Sequence, residues 1–398
     1  MWPSDCRWVL FMVLCAGLLS CSDDDTDDEL SLPTRTVLAY VAAENSLNSA
    51  AVSDVNEMLA AAASLNDGDH LIVYVDNTTL PRIYEITAAT TATSMSALTA
   101  VQTYDEDLNS ASADVLLDII DWTVAHYPAD EYGLILWSHG TGWLPSGSTT
   151  SSSSARRKTF GVDNGSNTTS NSGSAMDISD MADALAQGPH WLFILFDACF
   201  MQSMEIGYEL QDYTDWLIAS PAEIPFNGAP YTTVVPALFA TDFNPQTVVD
   251  NYLAAYSGCL LSAVDCSQLS SLATRTADLL LAYEDDILAA DLSGVLNYFD
   301  YDAYYSRLAI PDCYDPQGVL LQVASEDEMA DWKAVLAETV YAPYMSSWYS
   351  AYPARYLSVD EEQYSGLSLF IPLDKYDTRH PEFATAYRQT LWGQFVGW

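Results

Sequence analysis

The feature that most constrains this chain is a series of short runs in which nearly every residue is apolar. Such runs occupy residues 36–41, 70–75, 132–137, 191–196 and 216–219. A strand that is apolar on both faces must be covered on both sides, as in parallel sheets. Apolar residues at helical spacing lie between the runs and supply that cover, over residues 50–65, 114–126, 178–186 and 201–210. The sequence therefore predicts an α/β fold, a sandwich in which helices cover both faces of a mostly parallel central sheet.

Two stretches interrupt this alternation. Residues 145–174 are rich in Ser, Thr, Asn and Gly, and we interpret them as a long flexible insertion. After residue 240 helical patterns dominate, and strands are predicted only at residues 261–264 and 366–372. We therefore predict a first domain over residues 35–239 and a second, mixed but helix-rich domain over residues 240–398.

The N-terminus has the pattern of an export signal. Arg7 precedes a twelve-residue apolar run, residues 8–19. That run is too short to cross a bilayer, which takes about 20 residues, but it suits the core of a signal peptide. Residues 18–21 (LLSC) resemble a bacterial lipobox, which predicts a lipoprotein signal peptide over residues 1–20 and a lipid on Cys21. An ordinary secretory signal with an incidental cysteine is the alternative.

An acidic segment follows Cys21. Six of the eight residues 22–29 are acidic, and a block of like charge cannot pack. We interpret residues 21–34 as a solvated tether, which also resembles the surface-export signal of some Gram-negative lipoproteins; a plain spacer is the alternative. We expect a protein that is anchored to the outer membrane by its lipid alone and exposed at the cell surface.

The overall charge excludes some classes of partner. The chain has 13 Lys and Arg against 55 Asp and Glu, a formal charge of −42. Nucleic-acid binding is excluded because so few basic groups cannot neutralise a row of phosphates. A surface this acidic instead attracts cationic peptides.

Reactive side chains follow two of the predicted strands. One strand runs into Ser138, His139 and Gly140, and another runs into Asp197, Ala198 and Cys199. In open parallel sheets the functional residues gather beyond the carboxyl ends of the strands. A cysteine beside a histidine is the minimal apparatus for acyl transfer, because the imidazole accepts the thiol proton and the sulfur attacks a carbonyl.

Two backbone features would assist this chemistry. The N–H groups of Gly140 and Cys199 are candidates for an oxyanion hole. The helix predicted over residues 201–210 would favour a thiolate at Cys199 through its dipole. The plain alternatives are a cysteine buried as a small apolar residue and a histidine in a turn.

Longer motifs around these residues resemble the clostripain family of cysteine peptidases. Residues 132–143 (YGLILWSHGTGW) are similar to its histidine motif, and residues 196–201 (FDACFM) to its nucleophile motif. Weaker likeness extends over residues 40–47, where Glu44 stands in place of a more usual Asp, and over residues 219–231 and 366–372. The resemblance implies a caspase-like α/β/α sandwich, a catalytic dyad of His139 and Cys199, and cleavage of peptide bonds after Arg or Lys.

The same resemblance indicates a pocket for the basic side chain. Asp197 resembles the family's pocket acid, although an Asp that caps the following helix is the alternative. A second acid is usual near the position of Asn227, so the pocket here is expected to be less negative, with Glu223 as a possible substitute.

The resemblance also implies maturation by cleavage between the two motifs. Arg156, Arg157 and Lys158 stand together in the insertion, where an enzyme with this specificity would cut its own chain. We predict self-cleavage there, first of all after Lys158; a solvated basic patch is the alternative.

No metal ligand and no required cofactor are predicted. Calcium stays open, because clostripain is linked to calcium but the chain lacks a D-x-[DN]-x-[DN]-G loop. An inactive surface protein for binding or adhesion on the same fold is the main functional alternative. Other hydrolases are disfavoured by the lack of G-x-S-x-G and H-E-x-x-H motifs.

Overall fold

The computed structural model describes residues 34–144, 159–165, 174–304 and 310–398. Its strands follow the predicted apolar runs and add several short ones. In chain order the strands are β1 (Arg35–Ala42), β2 (His70–Asp76), β3 (Arg82–Ile86), β4 (Gln102–Thr103), β5 (Glu131–Trp137), β6 (Phe160–Asp163), β7 (Ser174–Met176), β8 (Trp191–Asp197), β9 (Thr214–Ala219), β10 (Ser262–Asp265), β11 (Val340–Tyr341), β12 (Ser347–Ser350) and β13 (Arg355–Ser358).

Helices alternate with the strands and become dominant toward the C-terminus. In chain order they are α1 (Asn48–Ala60), α2 (Ala113–His126), α3 (Ile178–Leu185), α4 (Met204–Leu210), α5 (Tyr231–Leu238), α6 (Pro245–Ala255), α7 (Cys266–Ala282), α8 (Glu284–Ala289), α9 (Tyr301–Tyr304), α10 (Pro316–Leu320), α11 (Glu326–Thr339), α12 (Glu382–Tyr387) and α13 (Leu391–Val396). Within the described residues no helix is both long and apolar enough to cross a membrane.

A nine-stranded sheet forms the centre of the fold, in the order β11-β10-β9-β8-β5-β1-β2-β3-β4. The five inner strands, from β9 to β2, pair in parallel, and the outer ones pair antiparallel. Alternate residues of β1 pack into two different cores: Leu38 and Tyr40 into one, and Val37 and Ala39 into the other. Each face of the sheet is therefore buried, which confirms the predicted α/β/α sandwich.

The segment after residue 240 continues this sheet. Strand β10 pairs with β9, and β11 pairs with β10. All described residues from 34 onward belong to one compact unit. The predicted boundary at residues 239 and 240 therefore does not separate two compact units, because backbone hydrogen bonds of the sheet cross it. The strand expected over residues 366–372 is also wrong: Ser368 and Leu369 form only isolated bridges, to Ser203 and Tyr314.

The predicted insertion over residues 145–174 is partly regular. Strand β6 lies inside it and pairs with β7, and Phe160 and Val162 are buried. The prediction of one continuous loop is therefore wrong for this part, since apolar side chains alternate there. The basic residues Arg156, Arg157 and Lys158 lie outside the described residues, as do the signal peptide and Cys21.

Candidate active site

The two reactive loops leave neighbouring strands of the sheet. Strands β5 and β8 are parallel partners, and Trp137 lies opposite Asp197 where both strands end. His139 and Cys199 each follow two residues later, so the register brings them to the same edge. Both side chains line one cleft of about 860 Å³.

Close contact between the loops depends on Gly140. A Cβ atom at this position would lie 2.5 Å from the carbonyl oxygen of Cys199 and 2.8 Å from Sδ of Met201. Any larger residue would therefore push the histidine loop away from the cysteine loop. Phe200 completes the cysteine loop with a left-handed φ of 61°, and its N–H donates to the carbonyl of Ala222 at 2.9 Å.

The helix after Cys199 begins later than predicted. Helix α4 starts at Met204, where the hydroxyl of Ser203 accepts a hydrogen bond from the N–H of Ile206 at 3.2 Å. The prediction that a helix N-terminus stabilises a Cys199 thiolate is therefore wrong, because four residues of loop separate the sulfur from the helix.

The environment of Cys199 instead favours the neutral thiol. Burial raises the pKa of Cys199 to about 12, and the charges of Glu223 and Asp197 act in the same direction. One donor opposes them, since the N–H of Ile224 lies 3.5 Å from Sγ. Burial and these two charges therefore favour the thiol of Cys199 over the thiolate.

Backbone donors are available beside the thiol. The N–H groups of Gly140 and Cys199 have no hydrogen-bond acceptor among the described residues. Neighbouring backbone groups already have partners: the N–H of Thr141 donates to the carbonyl of Thr159, and the N–H of Gly161 donates to the carbonyl of His139. These two N–H groups remain candidates for an oxyanion hole.

A serine contacts the imidazole. Oγ of Ser46 lies 2.9 Å from Nε2 of His139. The preceding residue, Asn45, braces this loop, since its side-chain amide donates to the carbonyls of Ala42 at 2.9 Å and Val162 at 2.8 Å. Sequence reasoning noted the motif that contains Ser46 but not this contact, because a serine in a loop carries no chemical signal of its own.

Asp197 lies buried in the same cleft. Its carboxylate accepts hydrogen bonds from the N–H of Ala229 at 2.8 Å and from the hydroxyls of Tyr231 at 2.8 Å and Tyr252 at 3.2 Å. These partners come from the following loop and from α5 and α6, which is not the geometry of a cap on α4. Burial raises the pKa of Asp197 to about 6.

A second carboxylate, missed in the sequence, stands beside it. Asp54 on α1 is buried and accepts a hydrogen bond from Nε1 of Trp137 at 2.7 Å. A Cβ atom at Gly228 would lie 2.5 Å from Oδ2 of Asp54 and 2.7 Å from Oδ2 of Asp197, so both acids converge on this glycine. Burial, and then the charge of Asp197, raise the pKa of Asp54 to about 8.

The other two predicted pocket residues, Glu223 and Asn227, differ in burial. Glu223 is buried and lines the cleft, where it accepts hydrogen bonds from Nε1 of Trp348 at 3.2 Å and from Oγ of Ser350 at 2.7 Å. Asn227 is exposed, whereas Gly228 beside it faces the two carboxylates. The family's usual acid is thus absent at Asn227, and Asp54 of α1 is a buried carboxylate next to the same loop.

Comparison with known proteins agrees with this geometry. The model of the clostripain family matches residues 39–334. A secreted C11 cysteine protease from Bacteroides thetaiotaomicron, solved with an irreversible peptide inhibitor, is 30% identical and has a TM-score of 0.75; the match covers 92% of this chain and 99% of that one.

A second solved structure is equally similar. An inactive zymogen of a C11 protease from Parabacteroides distasonis is 30% identical with a TM-score of 0.75, over 91% of this chain and 97% of that one. A comparison with curated proteins found no match. The family match spans most of the chain, and two solved C11 proteases align along nearly its whole length. This chain is therefore a member of the clostripain family of cysteine peptidases.

Proposed function

We propose that this cysteine protease is an endopeptidase that cleaves after Arg or Lys, with Cys199 as nucleophile and His139 as general base. The observation that carries the proposal is the pair of buried carboxylates, Asp54 and Asp197, that converge on Gly228 beside the cleft lined by the two reactive side chains.

The basic preference follows from electrostatics. A buried cation is costly unless it is paired, and a pair of buried carboxylates is costly for the opposite reason. Burial raises the pKa of both acids, and the charge of Asp197 raises the pKa of Asp54 further, so repulsion disfavours a second negative charge in the empty pocket. A guanidinium or ammonium group between them relieves that repulsion. A neutral side chain leaves it in place, and Glu223 adds a further negative charge to the cleft.

The chemistry proceeds in two acyl-transfer steps. His139 takes the proton of the Cys199 thiol as Sγ bonds to the scissile carbonyl carbon, and the N–H groups of Gly140 and Cys199 stabilise the oxyanion. The C–N bond then breaks, and His139 returns the proton to the leaving amine. Water attacks the resulting thioester, with His139 again accepting a proton, and the carboxylate product leaves with the thiol restored.

We further propose that the enzyme is a surface lipoprotein anchored through Cys21 and matured by cutting its own chain after Arg156, Arg157 or Lys158. The lipobox, the acidic tether and the basic cluster support this. One similar protein is described as secreted and another as an inactive zymogen, which agrees with export and with activation by cleavage.

A peptidyl acyloxymethyl ketone tests the catalytic proposal. A reagent with Arg or Lys at P1 should alkylate Cys199 in mature protein, as read by peptide mass spectrometry, and a norleucine reagent should react far more slowly. Cys199→Ala protein is the control for labelling elsewhere. No labelling of Cys199 by either basic reagent would favour an inactive binding or adhesion protein on the same fold.

A further inference from the structure

Three aromatic side chains that line the catalytic cleft are exposed. Phe226 is 60% exposed, Tyr349 47% and Tyr356 59%. In the described ranges five Phe and Tyr side chains are exposed, and these three of them line this one cleft. A single exposed aromatic residue is ordinary, whereas several beside a catalytic cleft form a surface that a ligand can cover. We refer to Phe226, Tyr349 and Tyr356 as the aromatic patch.

Two residues of the aromatic patch form a cross-strand pair. Tyr349 on β12 lies opposite Tyr356 on β13, and their rings meet edge to face with centroids 5.5 Å apart. A Cβ atom at Gly258 would overlap the ring of Tyr356, so this glycine lets the ring lie directly on the loop that follows α6. The N–H of Tyr349 also donates to the carbonyl of Gly258 at 2.9 Å. Both rings are thus held in place before a ligand binds, which lowers the entropy cost of binding.

The hairpin of β12 and β13 is attached to a loop of the catalytic site through Glu223. Its carboxylate accepts hydrogen bonds from the residues on either side of Tyr349, namely Nε1 of Trp348 at 3.2 Å and Oγ of Ser350 at 2.7 Å. The next residue along the chain, Ile224, directs its N–H at the nucleophilic sulfur. The rings of the hairpin are therefore fixed against the same loop that contacts the nucleophile.

We propose that the aromatic patch binds a large apolar side chain of the substrate, at one of the two residues that precede P1. This rests on the proposed function, which supplies the basic P1 residue. The leaving amine must lie at the imidazole of His139, so residues after the scissile bond depart on that side. The hairpin is attached instead to the loop that carries the P1 pocket, where Phe226 lies two residues before Gly228. Residues before P1 therefore extend over the aromatic patch.

Phenylalanine suits this surface best. Its ring buries a large apolar area and can pair edge to face with the exposed tyrosine rings. A surface that covers one face of the ring buries about half of the side chain, so Phe should exceed Ala by about 5- to 10-fold in kcat/KM. Together with the acidic pocket, the aromatic patch selects peptides in which a large apolar residue closely precedes a basic one.

Matched peptides test the aromatic patch. All carry Arg at P1, and Phe replaces Ala at P2, at P3 or at P2′. Purified wild-type protein should prefer Phe at P2 or P3 and show no preference at P2′. Tyr356→Ala and Phe226→Ala should each lower the Phe-to-Ala ratio of kcat/KM by at least about twofold, because each removes part of the apolar contact. Tyr356→Phe keeps the ring and should keep the ratio. Phe395→Ala is the matched control, an exposed residue of α13 that stacks on Tyr208, and should leave the ratio unchanged.

The possible failures are distinguishable. Equal kcat/KM for Phe and Ala at both P2 and P3, with Arg peptides still cleaved, would overturn the aromatic patch and leave the proposed function intact. A preference confined to P2′, or one that both alanine variants retain, would overturn it as well. If no peptide with Arg or Lys at P1 is cleaved, the proposed function fails and the aromatic patch fails with it. If Tyr356→Ala does not fold, Phe226→Ala decides the outcome.

Discussion

Replacement of Asp197 by Asn gives the sharpest test of the pocket, because it removes a charge and leaves the shape nearly unchanged. A unit charge about 4 Å from a cation contributes about 4 kcal/mol at an effective dielectric constant of 20. Breaking a buried charge pair costs about 2–5 kcal/mol. Loss of the Asp197 charge removes one cause of the raised pKa of Asp54, which can then ionise in its place. We therefore expect the lower half of that range, about 2–3 kcal/mol. This corresponds to a loss of about 30- to 150-fold in kcat/KM.

The assay compares two substrates that differ only in charge. Peptides with Arg or citrulline at P1 have nearly the same shape, so their ratio of kcat/KM isolates the contribution of the cation. Asp197→Asn should lower this ratio by the stated factor. Asp54→Asn should act in the same direction, because its carboxylate faces the same glycine. Asp67→Asn, an exposed residue before β2, changes the net charge equally and should leave the ratio unchanged.

The ratio should also depend on pH. Burial raises the pKa of Asp197 to about 6, so the carboxylate is protonated and cannot pair with a cation well below that pH. The preference for Arg over citrulline should therefore increase as the pH rises from 5 to 7.5. In the Asp197→Asn variant, the increase in the Arg-to-citrulline ratio of kcat/KM that is centred near pH 6 should be absent.

Equal losses for both substrates would refute the reasoning. Asp197 accepts hydrogen bonds from Tyr231 and Tyr252, and an Asn at this position would disturb both hydroxyls. A purely structural role would therefore lower both values of kcat/KM together and leave the ratio and its pH dependence as in the wild type.

Three further predictions concern the dyad, the anchor and maturation. Cys199→Ala and His139→Ala should each reduce peptide hydrolysis by at least about 10³-fold without changing the Tm by more than a few degrees; near wild-type turnover in either would contradict the dyad. Cys21→Ala should move the protein from the membrane fraction to the soluble fraction or leave an uncleaved precursor, and unchanged fractionation would exclude lipid anchoring. Purified wild-type protein should show a new N-terminus after Arg156, Arg157 or Lys158, whereas Cys199→Ala should remain one chain; equal nicking of both would assign the cut to another protease.

The sheet could be predicted because its inner strands are apolar on both faces. Beyond a polar first residue in two of them, these runs are apolar throughout, so a strand covered on both faces is the structure that their pattern favours. Strand β6 escaped prediction because its four residues lie within a long polar stretch, where only Phe160 and Val162 mark the buried face. The predicted boundary at residues 239 and 240 was wrong for another reason. The short strands β10 and β11 join the sheet through backbone hydrogen bonds, and the pattern of side chains does not encode those bonds.

Some residues of the candidate site could likewise be predicted from the sequence, and others could not. His139 and Cys199 were found because each follows a strand within a specific local motif, and the register of two strands brings them to one edge. Asp54 could not be found in this way. It lies on α1 between buried residues, where a single acid resembles part of the helix's polar face, and only the packing of α1 against the loop of Gly228 reveals its partner Asp197. Contacts between distant segments thus account for most of what sequence reasoning missed.

Specificity and reactivity are linked in this cleft. The charges of Glu223 and Asp197 help to raise the pKa of the Cys199 thiol, so the empty enzyme disfavours its own nucleophile. A P1 cation that pairs with Asp197 cancels one of these charges and makes loss of the thiol proton less costly. Part of the interaction with a basic side chain is then gained only as the thiolate forms, and such binding raises kcat rather than lowering KM. A neutral substrate leaves that charge uncancelled, so loss of the thiol proton stays as costly as in the empty enzyme.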